Sequence, residues 1–323
     1  MYADRFPEYR DAGFYRPVLG WSVSSLGIGT YLGGEDDAAD AAYTDALIAA
    51  GENGINFFDT AINYRNQRSE RCIGAALKRL DREEIVVCTK AGFLTPGAVP
   101  GFLQKEDVVG GMHSMAPEFL ADQIERSRAN LGVDAIDVFY LHNPETQLGF
   151  VASGVFEARI RLAFANLERL VEQRKIRWYG AATWDGFRKK GALSLPRLAE
   201  IALEEGGPEH HFRVIQLPFN LGMAEAFVDR PENVLETAAR LGMVAIASGT
   251  LQQARALEHM PDGVASVLPG LATNAQRAIQ FTRSTPGISV ALVGMGRRQH
   301  VVENLGVARV LPAARKEYLR LYQ

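Results

Sequence analysis

Four side chains of this sequence could together deliver a proton to oxygen: the Asp59 carboxylate, the Tyr64 phenol, the Lys90 ammonium and the His142 imidazole. Three of them close short apolar runs, Phe57-Phe58-Asp59, Val86-Val87-Cys88-Thr89-Lys90 and Tyr140-Leu141-His142, and Tyr64 follows Asp59 by five residues. A charge at the exit of an apolar strand is costly without a partner, so a carboxylate at 59 asks for the ammonium at 90. Adjacent parallel strands lie about 4.8 Å apart, close enough for side chains leaving neighbouring ends to touch. A phenol of pKa about 10 is a sluggish acid at neutral pH, and an adjacent ammonium should lower that value. When hydride reaches a carbonyl carbon, negative charge grows on its oxygen, and a proton donor beside an orienting imidazole is what that chemistry uses.

Such a cluster requires elements that bring strand ends together. From Ser24 onward one phrase repeats eight times: a short apolar run, a polar or Gly-bearing loop, then a segment with helical periodicity. Strands are expected at 26–30, 55–61, 85–90, 136–142, 177–182, 214–217, 243–247 and 288–293. Helices are expected between them, for example at 37–50, 69–80, 117–131, 158–174 and 231–241, with Gly51, Gly132 and Gly242 as C-terminal caps. Nearly continuous apolar strands such as Val138-Phe139-Tyr140-Leu141 suit a parallel sheet covered on both faces. Strict alternation permits an open doubly wound sheet or a closed barrel. Short helix-to-strand connections, against long loops after strands 3, 4, 5 and 7, put the insertions on one face and favour the barrel. The expected fold is therefore an α/β (β/α)8 TIM barrel, one domain over residues 1–323, with an irregular segment at 1–13 and a hairpin-like cap at 15–23 closing the barrel floor.

The chain has 323 residues, of which 47% are hydrophobic and 23% charged, with a net charge of -3. Without blocks of Lys and Arg it lacks the footprint of a nucleic-acid or anionic-membrane binder. No apolar run approaches the roughly 20 residues that span a bilayer, and the charged start is unlike a signal peptide, so a cytoplasmic protein is expected. Cys72 and Cys88 have no CxxC or neighbouring His and read as buried, inert thiols. None of the six histidines has a metal-ligand spacing, so no metal is expected, and His210-His211 reads as a surface pair.

The ordered segments Asn56-Phe57-Phe58-Asp59-Thr60-Ala61-Ile62-Asn63-Tyr64, Ser69-Glu70, Thr89-Lys90 and Leu141-His142 resemble the aldo-keto reductases, and the similarity runs from about residue 26 to 305. The resemblance implies exchange of hydride between a nicotinamide dinucleotide and a small-molecule carbonyl or alcohol. It implies Asp59, Tyr64, Lys90 and His142 as the catalytic tetrad, with Tyr64 as acid or base. NADP(H) is the expected cofactor and NAD(H) the alternative.

No Rossmann fingerprint is present, because Gly27-Ile28-Gly29-Thr30-Tyr31-Leu32 lacks the third glycine. Instead the eighth strand runs into Gly294-Met295-Gly296-Arg297-Arg298-Gln299-His300 and a helix-like stretch, which suits an anion. Arg297 and Arg298 either grip the 2′-phosphate of NADP or form a solvated pair. The resemblance places Glu303-Asn304 at the adenine, with His300 where relatives carry Arg or Gln. It places Gln216, Ser248 and Asn143 at the nicotinamide, with Thr30, Tyr31, Gly249 and Thr250 completing the contacts. Two segments depart from the family pattern. Gly180-Ala181-Ala182-Thr183 replaces the common Gly-Val-Ser-Asn and leaves Thr183 as the substitute contact. Ala247-Ser248-Gly249-Thr250 lacks the usual aromatic and proline, so the ring is expected to pack on Trp184 or Phe219.

The pocket should be shaped by loops 91–116, 143–156 and 250–274, with Tyr31, Phe93, Phe102, Trp184 and Phe219 as candidate walls. Gly92, Gly97, Gly101, Gly110 and Gly111 make loop 91–116 either a closing flap or an irregular surface loop. Three functions fit: a reductase of aldehydes, ketones or sugar-like carbonyls, a sugar or alcohol dehydrogenase working oxidatively, and a cofactor-sensing regulatory subunit on the same fold.

Overall fold

The computed structural model describes residues 1–189, 192–229, 232–257 and 260–322. Eight parallel strands close into a barrel: β1 (Leu26–Gly29), β2 (Phe57–Asp59), β3 (Val86–Ala91), β4 (Ile136–His142), β5 (Ile176–Ala182), β6 (Phe212–Pro218), β7 (Val244–Ser248) and β8 (Ile288–Gly294). Each pairs with its neighbours in sequence, and β8 returns to β1 through Ala291 against Leu26 and Gly294 against Gly29. The choice between open sheet and barrel thus falls to the barrel.

Outer helices follow the strands, among them Asp37–Glu52, Arg68–Leu77, Pro117–Leu131, Ser153–Glu172, Leu195–Gly206, Val234–Arg240 and Asn274–Ser284. Their starts carry capping side chains: Asp36 accepts from the Ala39 N–H, and Asn233 forms a reciprocal capping box with Glu236. The helix expected at 231–241 is Val234–Arg240, and Pro231 lies outside the described residues. Gly132 ends its helix at φ 65, as expected. Gly51 does not cap: it lies inside Asp37–Glu52, where a Cβ would come within 2.6 Å of the Leu80 side chain, so it serves close packing.

The two-residue period of the strands sorts side chains into two cores. Phe57, Val86, Cys88, Val138, Tyr140, Val214, Ile246 and Val290 fill the barrel interior, whereas Phe58, Val87, Phe139, Leu141 and Ile215 pack outward under the helices. An antiparallel hairpin, Tyr15–Val18 with Trp21–Ser24, closes the floor, and its Val18 and Val23 join the interior cluster.

Residues 1–13, expected to be irregular, instead form a 3-10 turn at Tyr2–Arg5 and a short helix at Pro7–Asp11. Contacts beyond the segment order it. The Tyr2 hydroxyl donates to the Gly51 carbonyl at 2.6 Å, and the rings of Tyr2, Phe6, Tyr9, Phe14 and Tyr15 pack in succession. A stretch this short has too few turns for its periodicity to be read. His210-His211 is not a solvated pair either: His210 is buried, and the His211 ring bonds Glu168 at 2.7 Å and packs on Trp178.

Candidate active site

Parity places the chemistry. Counting by twos from Phe57, Cys88, Tyr140 and Val214, all inside the barrel, leads to Asp59, Lys90, His142 and Gln216 at the C-terminal ends of β2, β3, β4 and β6. All four are buried. The Lys90 ammonium donates to Asp59 Oδ1 at 2.5 Å and to the Thr60 carbonyl at 2.7 Å. Gln216 Nε2 donates to the other carboxylate oxygen, Asp59 Oδ2, at 2.8 Å. Lys90 Nζ lies 5.0 Å from the centre of the Tyr64 ring, and the His142 ring meets that ring edge-on at 5.7 Å. The four residues singled out by type and spacing are thus neighbours in one site.

Burial lowers Lys90, but the charge and hydrogen bond of the Asp59 carboxylate outweigh it, so the amine is held above its ordinary value and stays an ammonium. Tyr64 differs from the sequence-based expectation. Burial pushes its phenol up from the ordinary value, and Lys90 only partly offsets this, so the resting side chain keeps its proton. His142 is held well below its ordinary value by burial and then by the Lys90 ammonium, which makes it a neutral imidazole. The arrangement can keep a proton on a phenol and stabilise the phenolate once that proton has left.

Outward-facing Thr89 donates to Glu70 Oε1 at 2.7 Å, and Ser69 donates to the Thr30 carbonyl at 2.7 Å, tying helix Arg68–Leu77 to β3 and the end of β1. Glu145 accepts the backbone N–H groups of Trp184, Asp185 and Gly186 at 2.7, 3.0 and 3.2 Å, which fixes the loop after β5.

A cleft of about 1050 Å³ opens above this end of the barrel. It is lined by Asp59, Tyr64 and His142 and, of the expected cofactor residues, by Thr30, Tyr31, Asn143, Thr183, Gln216, Ser248, Gly249, Thr250, Gly294, His300, Glu303 and Asn304. Gly296, Arg297 and Arg298 are off the lining. A Cβ at Gly296 would meet the Tyr43 ring at 2.9 Å, Arg297 stands at the head of the short helix Arg298–Asn304, and Arg298 pairs with Asp45 at 3.4 Å on the surface. Thr250 Oγ1 and Asn304 Oδ1 line the cleft as buried polar atoms with no hydrogen-bond partner among the described residues.

Of the expected walls, Tyr31, Phe93 and Trp184 face the cleft. Phe219 does not: it is wholly buried and stacks on Phe281 at 5.8 Å, so it cannot receive the ring. Phe102 is exposed away from the cleft. Loop 91–116 is tied down by Leu94 N–H to the Met112 carbonyl and Ser114 N–H to the Gly92 carbonyl, both 2.8 Å. Loop 250–274 reaches the cleft as expected, through Thr250 to Arg255, whereas sequence reasoning missed Asn63, Asn220 and Met223 on the lining. Gln252, Gln253 and Ala254 have φ of 47°, 56° and 73°, a left-handed run that no residue type there announces.

Among the described residues, no helix is long and apolar enough to cross a membrane, and no group of three or more His, Cys, Asp or Glu could hold a metal.

Comparison with known proteins places these features in context. A family model described as the Aldo/keto reductase family matches residues 25–262. The chain is 31% identical over 172 residues to an NADH-specific methylglyoxal reductase of Escherichia coli, covering 51% of this chain and 49% of that protein, so it spans about half that relative's length. It is 24% identical to a putative voltage-gated potassium channel subunit beta of Schizosaccharomyces pombe, covering 93% of this chain and 89% of that one. Among solved structures, an aldo/keto reductase of Klebsiella pneumoniae in complex with NADP and acetate shares the fold, with a TM-score of 0.68 and 21% identity over 93% of this chain and 90% of that one. Since the family model spans most of the sequence, the chain belongs to the aldo/keto reductase family.

Proposed function

We propose that the protein is an NADP(H)-dependent oxidoreductase that reduces an aldehyde, ketone or sugar-like carbonyl to the alcohol, with Tyr64 as general acid. The observation that carries this reading is the Lys90 ammonium held between Asp59 and the Tyr64 ring, with the neutral His142 ring edge-on to that same ring. A dinucleotide fits the residues present, because the unpartnered Thr250 Oγ1 and Asn304 Oδ1 give it polar contacts in the cleft and Gln216 and Thr183 lie beside the tetrad. Asn304, Glu303 and His300 would hold its adenine end, and Asn143, Thr183, Gln216 and Ser248 its nicotinamide. Bound there, the reduced nicotinamide supplies the hydride. Tyr64 passes its O–H proton to the substrate oxygen as the alcohol forms, and Lys90 stabilises the phenolate left behind. His142 orients the carbonyl oxygen, and Asp59 fixes Lys90. Trp184, the one of the two expected aromatic partners that faces the cleft, would pack on the nicotinamide in place of the aromatic missing at Ala247.

The same reading takes residues 1–323 as one domain acting on a small molecule in the cytoplasm. NAD(H) and the oxidative direction use the same groups, because the acid of one direction is the base of the other. The test is to follow nicotinamide absorbance with NADPH and NADH against panels of carbonyls, alcohols and sugars, in the wild type and in Tyr64→Phe. A general acid contributes about 10²- to 10⁴-fold, and the variant should lose that much rate while still binding dinucleotide. Full rate in Tyr64→Phe at saturating substrate would sink the mechanism. Chain-wide similarity to a protein named as a channel β subunit favours a second reading, a dinucleotide-binding regulatory subunit. It expects tight dinucleotide binding with negligible turnover in both proteins.

A further inference from the structure

Beneath His142 lies a chain of hydrogen bonds that the proposed mechanism does not use. His113, wholly buried in the loop after β3, places Nε2 2.8 Å from the His142 carbonyl oxygen and Nδ1 2.9 Å from Gln147 Nε2. Gln147 Oε1 accepts from Arg159 Nη1, and Arg159 Nη2 donates to the Glu106 carbonyl at 2.9 Å. Guanidinium can only donate, so the oxygen of the Gln147 amide must face Arg159 and its nitrogen must face His113. His113 Nδ1 is then an acceptor, the ring proton sits on Nε2, and that N–H donates to His142.

The peptide gripped in this way joins His142 to Asn143. Asn143 leaves β4 at φ 48°, a left-handed conformation that Asn tolerates but that needs support, and both side chains line the cleft. Phe93 meets the rings of His113 and His142 edge-on, each at 5.1 Å. A Cβ on Gly92 would lie 2.6 Å from both His113 Nε2 and the His142 carbonyl oxygen, so glycine is required for the two to meet.

We propose that His113 is a positioning residue: its imidazole, fixed as the Nε2–H tautomer by Gln147 and Arg159, holds the His142–Asn143 peptide and so aims the imidazole and the carboxamide at the cleft. The inference rests on the role proposed for His142, yet it has a signature that needs no turnover. Burial holds His113 down at about 4, so the ring stays neutral in ordinary buffers.

The first test is nitrogen NMR of the histidine rings in the wild type with His113 assigned by substitution. One neutral Nε2–H ring, unchanged between roughly pH 5 and 8, is expected, and an Nδ1–H or protonated ring overturns the proposal. The second compares His113→Phe, which keeps a ring against Phe93 but has no donor, with His113→Gln, which restores an N–H. Misplacing His142 should lower kcat in His113→Phe by about 10- to 100-fold, with KM less affected, and His113→Gln should recover most of the loss. Equal loss in both variants, or none in His113→Phe, overturns it. A wild type that turns over no carbonyl refutes the proposed activity instead, while the ring spectrum still decides the tautomer.

Discussion

The two ends of the cleft are built differently. At the tetrad end, the charges and the backbone are already held: Lys90 by Asp59 and Thr60, Asp59 also by Gln216, Glu70 by Thr89 and Asn130, and the His142 carbonyl by His113, while Thr60 Oγ1, Asn63 Oδ1, the Tyr140 hydroxyl and His142 Nδ1 have no partner among the described residues. At the far end, Thr250 Oγ1 and Asn304 Oδ1 have no partner among the described residues, three consecutive left-handed residues edge the cleft, and Arg297 and Arg298 stand outside it. The charged pair of the first end is fixed before anything binds, as electrostatic preorganisation requires, and of its residues with unpaired groups Asn63 and His142 line the cleft. The second leaves groups whose partners a dinucleotide would provide.

The largest expected effect lies at the organised end. Lys90→Met removes the ammonium from a fully buried carboxylate and leaves Asp59 only Gln216 as a partner, so stability should fall by about 3–5 kcal/mol. Urea unfolding measures this, and a loss under ~1 kcal/mol would mean the pair is not buried as described.

Acid should come next. His113 is held at about 4 against an ordinary 6.5, so the unfolded chain takes up its proton at higher pH than the folded protein does. The stabilisation is complete above about pH 6.5 and is lost as pH falls towards 4, by on the order of 3 kcal/mol for this one group. His142, also held low, acts in the same direction. His113→Gln should flatten the dependence, and an unchanged pH slope in that variant would count against a neutral buried imidazole.

Effects at the open end should be smaller and should depend on ligand. If Arg297 and Arg298 grip a 2′-phosphate, replacing both with Ala weakens NADPH binding by about 10- to 100-fold and leaves NADH unaffected. Equal, small changes for both dinucleotides would make them the solvated pair that their position off the cleft resembles. The least effect is expected for Ala254→Gly. A left-handed residue costs roughly 1–2 kcal/mol, and the freedom of glycine in the unfolded chain offsets about 0.5–1 of it, so the free protein should gain between about 0 and 1.5 kcal/mol.

The same contrast explains what could be read from the sequence. Period-two alternation fixes which strand residues face inward, so once eight apolar runs were recognised, Asp59, Lys90 and His142 fell at strand ends on the inner face. The loops obey no such period. Gln252 to Ala254 turn left-handed without a glycine, and Phe219 sits one residue beyond β6 yet packs into the outer core. Tyr64 shows a different limit: its neighbours were legible, but the balance between burial and the Lys90 charge depends on depth in the barrel. His113 escaped notice because its partner is a backbone carbonyl, which no residue type advertises.

The most direct measurement is a crystal structure of the dinucleotide complex. The expected result has the nicotinamide seated beside Gln216 and Thr183, with its reacting carbon facing the Tyr64 hydroxyl across a gap that admits one carbonyl group and Lys90 still bonded to Asp59. A nicotinamide bound elsewhere, or a Tyr64 hydroxyl turned away from Lys90 and His142 in that complex, would contradict the proposed chemistry.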